Sequence, residues 1–397
     1  STLFPYTTLF RSSTDGAGMA GRSHANGYRQ ANTIHGGGLL PVRLIAIADI
    51  NQELATEVAG RYGFEKAVGS WQEIADDPEI DVVSVVVGNS LHREVVEALL
   101  AAGKHVLCEK PLADTLANAE AMVAAAGKAG TVAATAYSFR RNPAVEAIRD
   151  LLASGELGDP ILIEAHYLAD YACDPAGPMS WRFRGDLGSG ALADLGAHII
   201  DLAEYITGPI VSVAGADFTI SIKERNLPLG NVIGHDHAEL SDEKEAVTND
   251  DSAVFTATFA NGAAATFRTS RVAYGPPNDL ALTITGTQSR AVFDWRRPAE
   301  FVVSDNQPSA HTRGDRVVYV GPGTAAVFDD AVPMPGGNIS FGYGDLFVYQ
   351  IRAFLDQVLG RESRLPACAT LADGLHTMKV LDAVTRCYHS GGARTAV

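Results

Sequence analysis

Positive charge is scarce in this sequence: 31 Lys and Arg stand against 47 Asp and Glu, a net charge of -16 at pH 7. Nucleic-acid binding needs clustered cations against phosphate, so the balance argues against such a partner. Cysteine is scarcer still. The four cysteines, Cys108, Cys173, Cys368 and Cys387, never occur at C-x-x-C spacing, so neither a disulfide framework nor a zinc knuckle is suggested and reduced thiols are expected. No apolar run reaches transmembrane length, and the opening residues lack the basic and long apolar regions of a signal peptide. A cytoplasmic protein without a membrane partner is the expectation. A G-x-S-x-G nucleophile elbow is missing too.

What is present is ample apolar content, 46% of 397 residues with 20% charged, which suits two substantial cores and hence two domains. One stretch organises the first of them. Val106 to Cys108 reads as a short buried strand, and Glu109, Lys110 and Pro111 follow where a parallel strand would end. Ligands of open α/β sheets bind at such ends, so Lys110 is placed to reach a substrate; an exposed Glu-Lys pair in an ordinary loop is the alternative.

Gly16-Ala17-Gly18-Met19-Ala20-Gly21 fits G-x-G-x-x-G, in which glycines allow a tight turn and close approach of the backbone to a pyrophosphate. A helix pattern runs on to about Gln30, so its N-terminus can hold phosphates. Gly16 to Ser23 also lies one residue from a P-loop, with Arg22 in place of the Lys that such a loop needs. The next unit separates the two. Val42 to Ala48 is an apolar strand ending in Asp49, 28 positions after Gly21. An acid there accepts from an adenosine ribose, and Ile50, Asn51 and Gln52 supply no Arg for a 2′-phosphate, which favours NAD over NADP. Asp49 as a helix cap is the competing reading. Strands at Val82 to Val87 and Val132 to Tyr137 alternate with helices at Leu91 to Ala102 and Thr115 to Ala129, which predicts a parallel sheet with right-handed crossovers.

Residues 1–15 are expected to be a non-native scar or a degraded first strand, since the chain opens without Met and runs polar residues into the glycines. A dinucleotide-binding domain is expected over 16–140 and a substrate-binding and oligomerisation domain over 141–397, its C-terminal helix packing back on the first. The second half favours an α+β domain with a large, mostly antiparallel open sheet. Ala253, Phe255, Ala257 and Phe259 alternate with other residues, Asn261-Gly262 is a hairpin turn, and Leu280 to Ile284 and Ala291 to Trp295 add strands. The acidic stretch from about Lys223 to Asp251, with His235-Asp236-His237, reads as a solvated insertion and no metal site is expected.

A second constellation lies between those strands. Asp194 and His198 are four apart in a helix running to Ile206, so both project from one face, with Asp201 a turn further on. A carboxylate beside an imidazole raises its basicity and fixes its tautomer, as a general base requires; a surface charge pair is the alternative. Gly188, Gly190 and Gly196 cost helix stability and call for some other purpose.

The order Gly16 to Gly21, Asp49, Asn89-Ser-Leu-His92, Glu109-Lys-Pro111, Arg140-Arg-Asn-Pro143, Gly190 to His198 and Asp373-Gly-Leu375 resembles the glucose-fructose oxidoreductase and inositol dehydrogenase (Gfo/Idh/MocA) family. The likeness spans roughly Gly16 to Gly392, and departs at Ser13-Thr14-Asp15, where the family has apolar strand residues. It implies a two-domain NAD(P)-dependent oxidoreductase acting on a sugar or polyol hydroxyl, a homodimer or homotetramer formed through the open sheet. It further implies catalytic roles for Lys110, Asp194 and His198, and places Asn89, Leu91, His92, Glu109 and Arg140 near the nicotinamide.

On this reading His198, oriented by Asp194, takes the hydroxyl proton while hydride leaves for the cofactor, and Lys110 stabilises charge on the oxygen. The segment Asp170 to Arg184 is rich in groups that stack on sugars, and its Trp181-Arg182-Phe183 looks most like that of dehydrogenases of hexoses and anhydrosugars such as levoglucosan. Tyr137 and Tyr167 are further pocket candidates. Two other functions fit the same letters: a glycosidase or epimerase that retains its NAD, and a non-catalytic dinucleotide-responsive binding protein.

Overall fold

A computed structural model describes residues 6–10, 19–39, 41–230, 239–275, 277–305, 311–325, 329–331, 334, 336–338 and 341–397. The first domain comprises β1 (Tyr6–Phe10), α1 (Met19–Gln30), β2 (Arg43–Ala48), α2 (Gln52–Tyr62), β3 (Lys66–Val68), α3 (Trp71–Asp76), β4 (Val82–Val85), α4 (His92–Ala101), β5 (His105–Cys108), α5 (Leu116–Ala129) and β6 (Ala133–Thr135). The second begins with α6 (Pro143–Ala153), β7 (Pro160–Ala169), α7 (Ala197–Thr207), β8 (Ile210–Thr219), β9 (Glu224–Pro228), β10 (Leu240–Ala246), β11 (Ser252–Phe259), β12 (Ala264–Ser270), β13 (Asn278–Gly286), β14 (Ser289–Asp294), β15 (Glu300–Asp305) and β16 (Asp315–Tyr319). The chain ends with α8 (Tyr343–Val358), β17 (Ala369–Thr370), α9 (Leu371–His389) and β18 (Thr395–Ala396).

The first sheet has the order β17-β6-β5-β4-β1-β2-β3, parallel except for β17. Its inner strands are buried on both faces, which is why Ile45 to Ala48 and Val82 to Val85 read as continuous runs and not as alternations. The strand order reverses between β1 and β4, and the carboxyl ends of strands at such a switch point are where open α/β sheets bind ligands. Tyr6–Phe10 supplies the strand at that switch point, pairing with β2 on one side and β4 on the other. Tyr, Thr and Phe are good strand formers, so the place is filled despite its more polar composition.

The second sheet has the order β16-β15-β14-β13-β7-β12-β11-β8-β18 and is antiparallel except where β12 lies parallel to β7. β11 turns into β12 at Asn261-Gly262, with Gly262 at φ 90, as the hairpin signal requires. One face packs on α6 and α7, and the other leaves Val254 exposed. The insertion reading needs correction. Residues 231–238, and so His235-Asp236-His237, lie outside the described residues, but Asn249, Asp250 and Asp251 are buried and bonded, as described below, and are not solvated. Among the described residues no cluster of His, Cys, Asp or Glu could hold a metal ion, all four cysteines are free, and no helix is long and apolar enough to cross a membrane.

The two domains are stitched together by the late part of the chain. α8 packs on α1 so closely at Gly27 that a Cβ there would lie 2.8 Å from the Phe347 carbonyl oxygen. β17 extends the first sheet through β6, and α9 covers α5. After β6, Arg140 is clamped by the Asp201 carboxylate on α7, with Nε 2.9 Å from Oδ2. Arg141 donates to Gln350, Pro366 and Ala367. Asp201→Ala leaves the buried Arg140 guanidinium with the more distant Asp373 carboxylate, 3.9 Å away, as its remaining ionic partner, and a loss of about 3 kcal/mol is expected in urea unfolding. A loss below about 1 kcal/mol, the range of exposed pairs, would show the clamp to be dispensable.

Candidate active site

The site is built from the carboxyl edge of the first sheet and the loop before α7. Lys110 leaves the end of β5 and reaches across the seam, where its Nζ lies 3.0 Å from Asp194 Oδ1 and 2.9 Å from the Asp194 carbonyl oxygen. Asp194 is held in a π-helical turn, Leu192–Gly196, immediately before α7. The turn is anchored from outside. The buried Asp250 carboxylate accepts the backbone N–H groups of Gly188, Gly190 and Leu192 at 2.8, 3.0 and 2.8 Å. Gly190 answers to this contact, since a Cβ would stand 2.1 Å from the Asp250 carbonyl oxygen, and Gly188 adopts φ 92. Asn249 and Arg271 tie the same strand entrance to the Arg182 carbonyl oxygen, and Arg271 is itself paired with Asp251 at 2.9 Å.

The expected Asp194–His198 pair does not form. Asp194 Oδ1 is taken by Lys110, and Oδ2 accepts the Tyr171 hydroxyl at 2.9 Å. A cation and a phenol outcompete a neutral imidazole for the carboxylate, and the π turn removes the regular helical register on which the expectation rested. Loss of water would raise the Asp194 carboxyl, but the charges of Lys110 and Arg182 and the two donated bonds hold it well below the usual carboxylate range. His198 is buried against Phe139 and Tyr167, with ring centroids at 5.1 and 5.9 Å, and its Nδ1 has no hydrogen-bond partner. Burial first, and the Lys110 charge second, push its imidazole well below the ordinary value, with Asp194 opposing only in part. His198 is therefore a neutral ring with lowered basicity, contrary to the raised basicity expected from spacing.

A cleft of about 560 Å³ joins Lys110, Asp194 and Tyr171 to Val87, Asn89, His92, Trp181 and Arg182, while His198 lies buried one helical turn beyond Asp194 and does not line it. His92 is fixed between the carbonyl oxygens of Val87 and Leu112, each 3.1 Å away, and burial lowers its imidazole. Trp181 is 45% exposed, with the Arg182 guanidinium 4.5 Å over its ring. Several expected residues lie elsewhere. Arg140 faces Asp201 behind the cleft, Tyr137 is core beneath it, and Leu91 packs on the first domain's core. Tyr167 backs His198 and donates to Asn278 at 3.0 Å, and Glu109 turns away from the cleft toward His24. Tyr171, His24 and Asp250 were missed as individuals. A lone His in the Ala- and Gly-rich pattern of α1 was the one available signal for His24.

Asp49 lies buried at the end of β2 and accepts the Asn51 N–H at 2.8 Å. Asn51, not Asp49, caps α2, through Leu54 N at 3.2 Å, which removes the capping explanation for the acid. Gly16 and Gly18 lie outside the described residues; Met19, Ala20 and Gly21 open α1 at the switch point. An acid at the end of β2 followed in sequence by Ile50, Asn51 and Gln52 and not by Arg, a helix start at the switch point and an open cleft beyond Asn89 together suit a dinucleotide.

Residues 15–137 match the model of the oxidoreductase family with an NAD-binding Rossmann fold, and residues 145–292 match the GFO/IDH/MocA C-terminal domain. Levoglucosan dehydrogenase of Pseudarthrobacter phenanthrenivorans is 35% identical over 378 residues, 93% of either chain. Myo-inositol 2-dehydrogenase of Thermotoga maritima is 29% identical over 297 residues, 74% of this chain and 80% of that protein. The structure of a levoglucosan dehydrogenase in complex with NADH and levoglucosan superposes with a TM-score of 0.86 at 31% identity over 99% of both chains. An oxidoreductase domain protein from Kribbella flavida gives 0.86 at 30% identity over the whole of both. With both halves matched and the fold shared end to end, the chain belongs to the Gfo/Idh/MocA family of NAD-dependent oxidoreductases.

Proposed function

We propose that the protein oxidises a secondary hydroxyl of a sugar, anhydrosugar or polyol, with NAD as the acceptor. The observation that carries this reading is Lys110, fixed on Asp194 in an open cleft, with the neutral imidazole of His198 on the same α7 segment. Relatives named for levoglucosan and myo-inositol support the substrate class. Bound NAD would supply the hydride acceptor. The chain's own residues do the rest. Lys110 holds the substrate oxygen by charge and hydrogen bond as negative charge grows on it. Asp194 and Tyr171 keep that ammonium aimed. His198, being neutral, has a lone pair for the hydroxyl proton. Trp181 offers a flat apolar face to a sugar ring, and Arg182 donates to its hydroxyls. The exposed face of the second sheet is the surface through which two or four copies would pair.

Absorbance of NADH at roughly 340 nm, the usual nicotinamide assay, is expected to rise with NAD and one member of a panel of anhydrosugars, hexoses and inositols. A burst limited to one equivalent of cofactor would instead identify a retained NAD and sink the freely releasing dehydrogenase. Lys110→Ala and His198→Ala are each expected to lower kcat by about 100- to 10,000-fold while NAD affinity measured by titration stays near that of the parent. Loss of NAD binding with turnover per bound cofactor preserved would contradict both roles.

The pH dependence follows from the lowered imidazole. His198 accepts a proton only in its neutral form, and its pKa in the fold lies well below 6.5, so protonation removes activity only at more acidic pH. The acid limb of the kcat profile for oxidation is expected below pH 6.5. A limb centred at or above that value would rule out a buried neutral His198 as the acceptor. Asp49→Ala is expected to weaken NAD far more than NADP, read as the ratio of the two dissociation constants; an unchanged ratio would remove Asp49 from the ribose.

A further inference from the structure

A chain of polar side chains runs behind the cleft and ends at Lys110. It begins on α1, where Tyr28 and His24 are four residues apart and face the first sheet. Tyr28 Oη is 2.8 Å from Ser84 Oγ, in the buried strand β4, and Ser84 Oγ is 3.0 Å from His24 Nδ1. His24 Nε2 lies 2.9 Å from Glu109 Oε1. Glu109 Oε2 in turn accepts the backbone N–H of Lys110 at 3.1 Å. His24 and Ser84 are fully buried, and Phe347 closes the ring of His24 from the α8 side at 5.3 Å.

One direction of donation satisfies every atom: Tyr28 to Ser84, Ser84 to His24, His24 to Glu109. Burial pushes the Tyr28 phenol up, so it keeps its proton as the first donor. Burial would also raise the Glu109 carboxyl, but the bond from His24 and the charge of Lys110 hold it lower. Fold stability does not ask for such a chain, because apolar side chains of the same volume fill a sheet core at least as well. Its two ends do ask for it. One end is the helix that starts at the switch point of the first sheet, and the other is the peptide from which the Lys110 side chain departs for Asp194.

We propose that His24 is a positioning residue for hydride transfer: by fixing the Glu109 carboxylate against the Lys110 backbone, it sets the point from which Lys110 reaches Asp194. The inference rests on the dehydrogenase reading for its kinetic consequence, though not for its geometry. Two substitutions separate the links. His24→Gln places an amide nitrogen near the imidazole Nε2 and keeps the donation to Glu109. His24→Asn reaches only the Nδ1 place and keeps Ser84 alone.

The experiment compares wild type, H24Q and H24N in kcat and KM with NAD and the sugar found active, in thermal midpoint, and in the rate at which trinitrobenzenesulfonate modifies Lys110 in the cofactor-free protein, read by peptide mass. H24N is expected to lose kcat by about 100-fold, as for a misplacement near 1 Å, with KM for NAD and thermal midpoint equal to those of H24Q. Its Lys110 modification rate is expected to change, while H24Q behaves as wild type in both. Equal kcat and equal Lys110 reactivity in the two variants would overturn the proposal. So would a loss of kcat in H24N that follows a lowered thermal midpoint. Where wild type itself forms no NADH with any sugar, the dehydrogenase reading fails, and Lys110 reactivity alone decides the positioning role.

Discussion

The structure depends on an ion pair that neither domain contains. Lys110 comes from the end of a parallel strand and Asp194 from a turn in the other domain, and they meet at 3.0 Å. Such a pair contributes little to stability when partly wet. Its demand is geometric, because a shift of 1 Å between the domains would part it. Other cross-connections hold the two domains together besides it: the Arg140 clamp on Asp201, the three acceptors of Arg141, and the close approach of α1 to α8 at Gly27.

The same pair sets Asp194 apart from His198. Asp194 gives its oxygens to a cation and a phenol, and so leaves His198 without a carboxylate partner. An imidazole raised by Asp194 would carry a proton part of the time and would repel the neighbouring ammonium. A ring kept neutral by burial and by that ammonium avoids the conflict.

Much of this was legible in the letters. Alternation of apolar runs and helix patterns gave the parallel sheet, and Asn261-Gly262 gave the hairpin, because both signals depend on neighbours within a few residues. Lys110 was legible for the same reason, lying at the end of an obvious strand. What could not be read were the long-range choices. The spacing of Asp194 and His198 was real, but which partner the carboxylate takes depends on Lys110, 84 residues away. Asp250 and Asp251 looked like part of a solvated acidic stretch, since nothing local announces that three backbone amides and Arg271 wait for them. His24 was silent because its partners, Ser84 and Glu109, are ordinary residues until the helix is laid on the sheet.

The return of the chain to its own beginning has a consequence for how the protein is made. β17 pairs with β6, and Thr135 in β6 donates to the Thr370 carbonyl oxygen 235 residues further along. The edge of the first sheet is thus finished by a segment synthesised 235 residues after it. At about 5–20 residues per second, the dinucleotide domain waits tens of seconds with an open strand edge and an uncovered α5. During that interval it is exposed to the wrong partner, and Gly374, set so close to Thr135 that a Cβ would lie 2.7 Å from its hydroxyl, marks how tightly α9 finally seals it.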